Sequence, residues 1–177
     1  MSIIICPGIH DLELTHSFVR DLQNQIESNY FILPTAEFAP YSAIAIARWL
    51  DSQPLAKTEP LLFIAFSAGV VGSIGAAIWW QLQGGLVKGL IAFDGWGMPL
   101  AGNFPIYRVS HDYFTHWSSS LLGAGTQGFY ADPKIEHLDL WRSPADVYGW
   151  QAIAPGCKTR ITLNNYLTQI IHSDRAI

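Results

Sequence analysis

Residues 61–83, LLFIAFSAGVVGSIGAAIWWQLQ, decide how this chain folds. Leu61–Phe66 is apolar throughout and rich in β-branched and aromatic groups, which reads as a strand buried on both faces. Ala68 to about Gln83 is rich in Ala and Gly and reads as a buried helix. From Pro60 to Val87 there is no charged residue, a stretch long enough to span a bilayer. Ser67, Gly69, Gly72, Ser73 and Gly75 interrupt it, and Gln81, Gln83 and two glycines follow. A buried strand turning into a buried helix therefore describes it better than a membrane span, and no membrane insertion is expected.

The flanking sequence repeats this alternation. Ser2–Cys6 reads as a strand stopped by Pro7-Gly8, and Asp11 to Gln25 as a helix with Asp11 as its N-cap. Tyr30–Leu33 is a second strand ended by Pro34, and Ser42–Asp51 a second helix. After the central strand and helix, Val87–Phe93 and Ile106–Ser110 are further strands, and Gln127–Ala131 a sixth. His137 to Trp150 reads as helical with an interruption near Pro144, and Asn164–Ser173 as a last helix. Strands alternating with helices, and continuously apolar strands, indicate a three-layer α/β/α sandwich around about six mostly parallel strands.

Composition agrees with a folded protein. The chain has 177 residues, half of them hydrophobic and 14% charged, which excludes disorder and suits one domain over 1–177. The net charge is −4 with no basic block, so no nucleic-acid partner is expected. Cys6 and Cys157 are too far apart for a metal motif, and nothing resembles a secretory signal. Both are read as reduced thiols of a cytoplasmic protein. Oligomeric state is not legible.

In a parallel sheet the working site lies at the carboxyl ends of the strands. There the sequence places Pro7 to His10, Ser67, Asp94, His111-Asp112 and, just beyond the sixth strand, His137. Ser67 is the sharpest signal, in Ala65-Phe66-Ser67-Ala68-Gly69. A nucleophilic serine on a tight strand-to-helix turn needs small residues two before and two after it. Such a turn exposes the hydroxyl above the sheet and aims the N–H of Ala68 at a developing oxyanion, with the helix N-terminus adding positive potential. The plain alternative is a serine N-cap on a buried helix. Acyl transfer also needs a base and an acid to orient it, and Asp112 and His137 follow in the order Ser, Asp, His.

With these residues the chain resembles the α/β-hydrolase superfamily, from the first strand to about Trp150. Cys6-Pro7-Gly8-Ile9-His10 resembles the family's oxyanion loop, Ala65–Gly69 its serine turn, and His137–Pro144 (HLDLWRSP) its histidine segment. Ala65 departs from the usual glycine, Pro7 stands where many members have His, and the first hairpin of larger members is missing. The resemblance implies a minimal fold without a cap domain and a small serine esterase or lipase-like enzyme. It would cleave a carboxylic ester or thioester, with Ser67 as nucleophile, His137 as base, Asp112 as acid, and the N–H groups of Ile9 and Ala68 as the oxyanion hole. No cofactor is required.

Several residues carry alternatives. Asp94 also ends a strand and is the rival acid, although Asp94-Gly95 is equally a plain turn dipeptide. His10 either lines the pocket or is structural. Trp96, Met98 and the aromatic stretch 113–128, with Trp117, form an acyl or aromatic pocket or belong to the core. His111 and His116 lack zincin spacing, so no metal site is expected. Asp132, Glu136 and Asp139 read as solvated charges. Ser67-Ala68-Gly69-Val70-Val71-Gly72 also resembles a dinucleotide-binding turn, with Asp94 placed for a ribose hydroxyl. The competing readings are thus a dinucleotide-binding oxidoreductase and a non-catalytic binding protein on the hydrolase fold.

Overall fold

In the computed structural model, which describes residues 1–95, 97–122, 128–154 and 156–173, helices flank a single eight-stranded sheet. The elements run β1 (Ser2–Cys6), α1 (Leu12–Gln23), β2 (Asn29–Ile32), α2 (Ala43–Asp51), β3 (Leu61–Phe66), α3 (Ala68–Leu82) and β4 (Val87–Phe93). They continue with β5 (Ile106–Ser110), α4 (Tyr113–Ser120), β6 (Gly128–Ala131), α5 (Asp139–Arg142), a 3-10 turn (Pro144–Asp146), β7 (Tyr148–Ala154), β8 (Cys157–Thr162) and α6 (Leu163–His172). The strand order is β2-β1-β3-β4-β5-β6-β7-β8. The first six strands are parallel, and β7 and β8 are antiparallel.

Two cores lie on opposite faces, as alternation along buried strands requires. Ile3, Ile5, Leu62, Ile64, Phe66, Ile91 and Phe93 face α1, α5 and α6, with Phe18, Trp141 and Leu167 packed among them. Ile4, Cys6, Leu61, Phe63, Ala65, Leu90 and Ala92 face α2 and α3, against Ile46, Trp49, Val70 and Trp80. Burial holds the Cys6 thiol up to about 12, so it is no rival nucleophile. No helix among the described residues is long and apolar enough to cross a membrane, because the uncharged stretch is split between β3 and α3.

The sheet has eight strands rather than about six. The expected helix over 137–150 is a correction: it holds only α5 and the 3-10 turn, and Tyr148 onward is strand. Ser143-Pro144 ends the helix, and residues 149–152 beyond it pair antiparallel with β6, Trp150 opposite Tyr130. The polar strand β8 (CKTRIT) gave no periodic apolar signal because it is a mostly exposed edge. The aromatic stretch after Asp112 contains α4, whose start is fixed by the Asp112 side chain accepting from the Thr115 N–H at 2.7 Å.

Candidate functional site

Parallel register brings the site together. Phe66 pairs with Phe93, and Phe93 with Val109. The ladder then runs one bond further, Ser67 N–H to Phe93 C=O and Asp94 N–H to Val109 C=O, both 2.8 Å. Ser67, Asp94 and His111 therefore emerge side by side at the carboxyl ends of β3, β4 and β5. The crossover to β2 leaves one way and the chain returns on the other side of β1, so this edge is also where the strand order reverses.

Ser67 stands at φ 52°, ψ −118°, and Asp94 at φ 47°. A non-glycine residue at positive φ costs of order 1–3 kcal/mol and persists only where its surroundings fix it. At Ser67 they do. Its side chain makes no capping hydrogen bond, so Ser67 is not a side-chain N-cap of α3. The loop after β1 lies directly against the turn: a Cβ on Gly8 would stand 3.1 Å from the Ser67 Cβ. A Cβ on Gly69 would stand 2.2 Å from the Cys6 carbonyl oxygen, so only glycine fits there.

Asp94 is the hub. Its buried carboxylate takes the His111 N–H on Oδ1 at 3.0 Å, and Nδ1 of both His111 (2.9 Å) and His137 (2.7 Å) on Oδ2. Burial works against ionisation of Asp94, but the hydrogen bonds from His111 and His137 outweigh it and hold the carboxyl below its ordinary range. The same bond raises His111 above the ordinary imidazole value, against partial burial. Because a carboxylate only accepts, both imidazoles donate from Nδ1, which leaves the lone pair of His137 on Nε2. The His137 ring stacks on Phe66, next to Ser67, with centroids 4.6 Å apart.

The expected acid, Asp112, is therefore corrected: the carboxylate bonded to His137 is that of Asp94. Asp112 caps α4, and its Oδ2 lies 3.7 Å from His111 Nε2. Burial pushes the Asp112 carboxyl up and the Thr115 hydrogen bonds pull it down further, for a net lowering. A cleft of about 540 Å³ is lined by Ser67, Ala68, Asp94, His111 and His137, with Val71, Met98, Phe114 and Thr115 as further walls. Trp117 sits instead in a neighbouring groove with Tyr113, His116 and Tyr130. Phe114 takes the wall position assigned to it. His10 turns away to Thr15, with Nε2 3.0 Å from Oγ1, and its imidazole is lowered first by burial and then by the charge of His137. Ile9 is 76% exposed beside Gly8, and Trp96 lies outside the described residues.

His111 is the residue that the sequence left unassigned. Its signal was the one that picked out Asp94, a polar group just past a strand. No protein-family model matches the chain, and no curated protein is significantly similar to it.

Proposed function

We propose that the chain is a serine hydrolase of the α/β-hydrolase type, without a cap domain, that cleaves a carboxylic ester or thioester. One observation carries this reading: Ser67 on a strained strand-to-helix turn shares a cleft with His137, whose Nδ1 is anchored on buried Asp94. In the proposed reaction Ser67 Oγ attacks the acyl carbon, and His137 Nε2 takes its proton. The tetrahedral oxyanion is received by the N–H groups of Ala68 and Ile9, each worth roughly 3–4 kcal/mol in such sites. His137 then protonates the leaving alkoxide or thiolate, and water releases the acyl group by the same steps in reverse roles. Asp94, rather than Asp112, fixes the tautomer and stabilises the imidazolium.

The dinucleotide reading has less support. The space beside Gly69 is taken by the carbonyls of Cys6 and Pro7, that beside Gly72 by the carbonyl of Pro40, and the Asp94 carboxylate is engaged by two histidines. A fluorophosphonate probe tests the proposal. Labelling of the wild type, lost in Ser67→Ala with an unchanged melting curve, is the expected result. Asp94→Asn should lower turnover by about 10⁴-fold, as wrong-tautomer variants do, while Asp112→Asn retains most of it. An unlabelled wild type would favour the non-catalytic binding protein. Thermal protection by NAD or NADP would favour the oxidoreductase.

A further inference from the structure

The proposed triad needs one histidine on its acid, and here there are two. Nδ1 of His111 and Nδ1 of His137 lie 2.9 and 2.7 Å from Oδ2 of Asp94, and one donor atom from each of the three residues lies within 4.8 Å of the others, brought together from three separate segments. We propose that these three atoms form a binding site for a borderline divalent cation, zinc foremost, and that its occupation switches the hydrolase off. The inhibitory half rests on the proposed hydrolase function; the binding half does not.

The donor set decides the class of ion. Two imidazoles and one carboxylate suit zinc, whereas magnesium and calcium prefer all-oxygen shells. Zinc sits roughly 2.0–2.2 Å from such ligands, so the donors, now 2.7 and 2.9 Å apart across Asp94, must spread by a few tenths of an ångström. The His137 and His111 side chains are 42% and 27% exposed along the cleft, which gives them that room and leaves a fourth position for water.

The surroundings of the ligands fit as well. The His111 N–H holds the other Asp94 oxygen at 3.0 Å, fixing the carboxylate. Asp112 Oδ2 lies 3.7 Å from His111 Nε2, beyond hydrogen-bond distance, and a closure of about half an ångström would let it accept the N–H of a histidine that binds metal through Nδ1. A carboxylate behind a ligating imidazole is the usual support of zinc histidines. It also gives Asp112 a use beyond its cap.

Proton balance makes the ion an inhibitor. In the neutral rings the proton is on Nδ1. Coordination takes the Nδ1 lone pair; that proton leaves to solvent and one from solvent binds Nε2. No net proton is released and nothing is oxidised or reduced. At His137 the protonated Nε2 can no longer accept from Ser67.

The full-length protein is dialysed against zinc or magnesium, bound metal is counted, and fluorophosphonate labelling of Ser67 is timed with and without each ion. One zinc per chain is expected, retained in Ser67→Ala and Cys157→Ser, with no magnesium bound. Zinc should slow labelling at least tenfold, and a chelator should restore it. His111→Gln should abolish the site. Asp112→Asn, whose asparagine still caps α4, should weaken it by about 10–100-fold. The proposal is overturned by the absence of a saturable site, by zinc uptake indifferent to both variants, or by labelling that zinc leaves unchanged or accelerates. If His111→Gln does not fold, Asp112→Asn decides. A wild type unlabelled without zinc overturns the hydrolase function and with it the inhibitory half, while dialysis still decides the binding half.

Discussion

Asp94 serves two histidines with one carboxylate, and the titrations of Asp94 and His111 act on stability in opposite directions. The Asp94 carboxyl is lowered from 3.8 by His111 and His137, so the stability it contributes is complete above that value and lost as pH falls through the lowered one. His111 is raised from 6.5 by Asp94, so its contribution is complete below 6.5 and lost as pH rises through the raised value. Melting temperature followed against pH should therefore decline on both sides. His111→Gln should remove the decline above 6.5 and leave the acid-side decline; an unchanged alkaline side would show that the bond is not formed in solution. Gly69 matters for a different reason. In Gly69→Ala the new methyl group meets backbone carbonyls of Cys6 and Pro7 that cannot swing away, so urea denaturation should show a loss of about 1–3 kcal/mol or more.

Helix α4 and the turn before α3 show how single elements hold the cleft. Helix α4 (YFTHWSSS) is built mostly from residues of weak helix propensity. Its N-cap contact at 2.7 Å compensates. Asp112→Ala should cost about 1 kcal/mol in equilibrium unfolding and Asp112→Asn only a fraction of that, because asparagine caps equally well. The helix also sorts its side chains between two cavities: Phe114 and Thr115 line the Ser67 cleft, and Tyr113, His116 and Trp117 the neighbouring groove. Which of these aromatic groups reaches the cleft depends on rotation about the helix axis, which sequence spacing without a known partner face does not define.

The packing of the whole molecule carries His137 to its place. Trp141, fully buried, stacks on Phe18 of α1 at 3.7 Å and on Phe66 of β3 at 5.1 Å, tying the histidine segment to the sheet. Trp141→Ala should cost about 3–5 kcal/mol, and labelling of Ser67 should fall with it as His137 loses its anchor. A variant that is destabilised yet labelled at the wild-type rate would disconnect the two. The strands β1 to β6 and the turn at Ser67 were legible because apolar runs and turn residues act within a few positions of one another. Strands β7 and β8 were not, because their pairing is with each other and with β6, across a proline break and an exposed edge. Sequence by itself therefore determined the alternation of strand and helix, the uncharged β3–α3 unit and the place of the serine at its turn. Only the tertiary structure decided that His137 meets Asp94 instead of Asp112, and that His111 joins them. Contacts between distant segments depend on strand order and register, and these are fixed by the packing of both cores together.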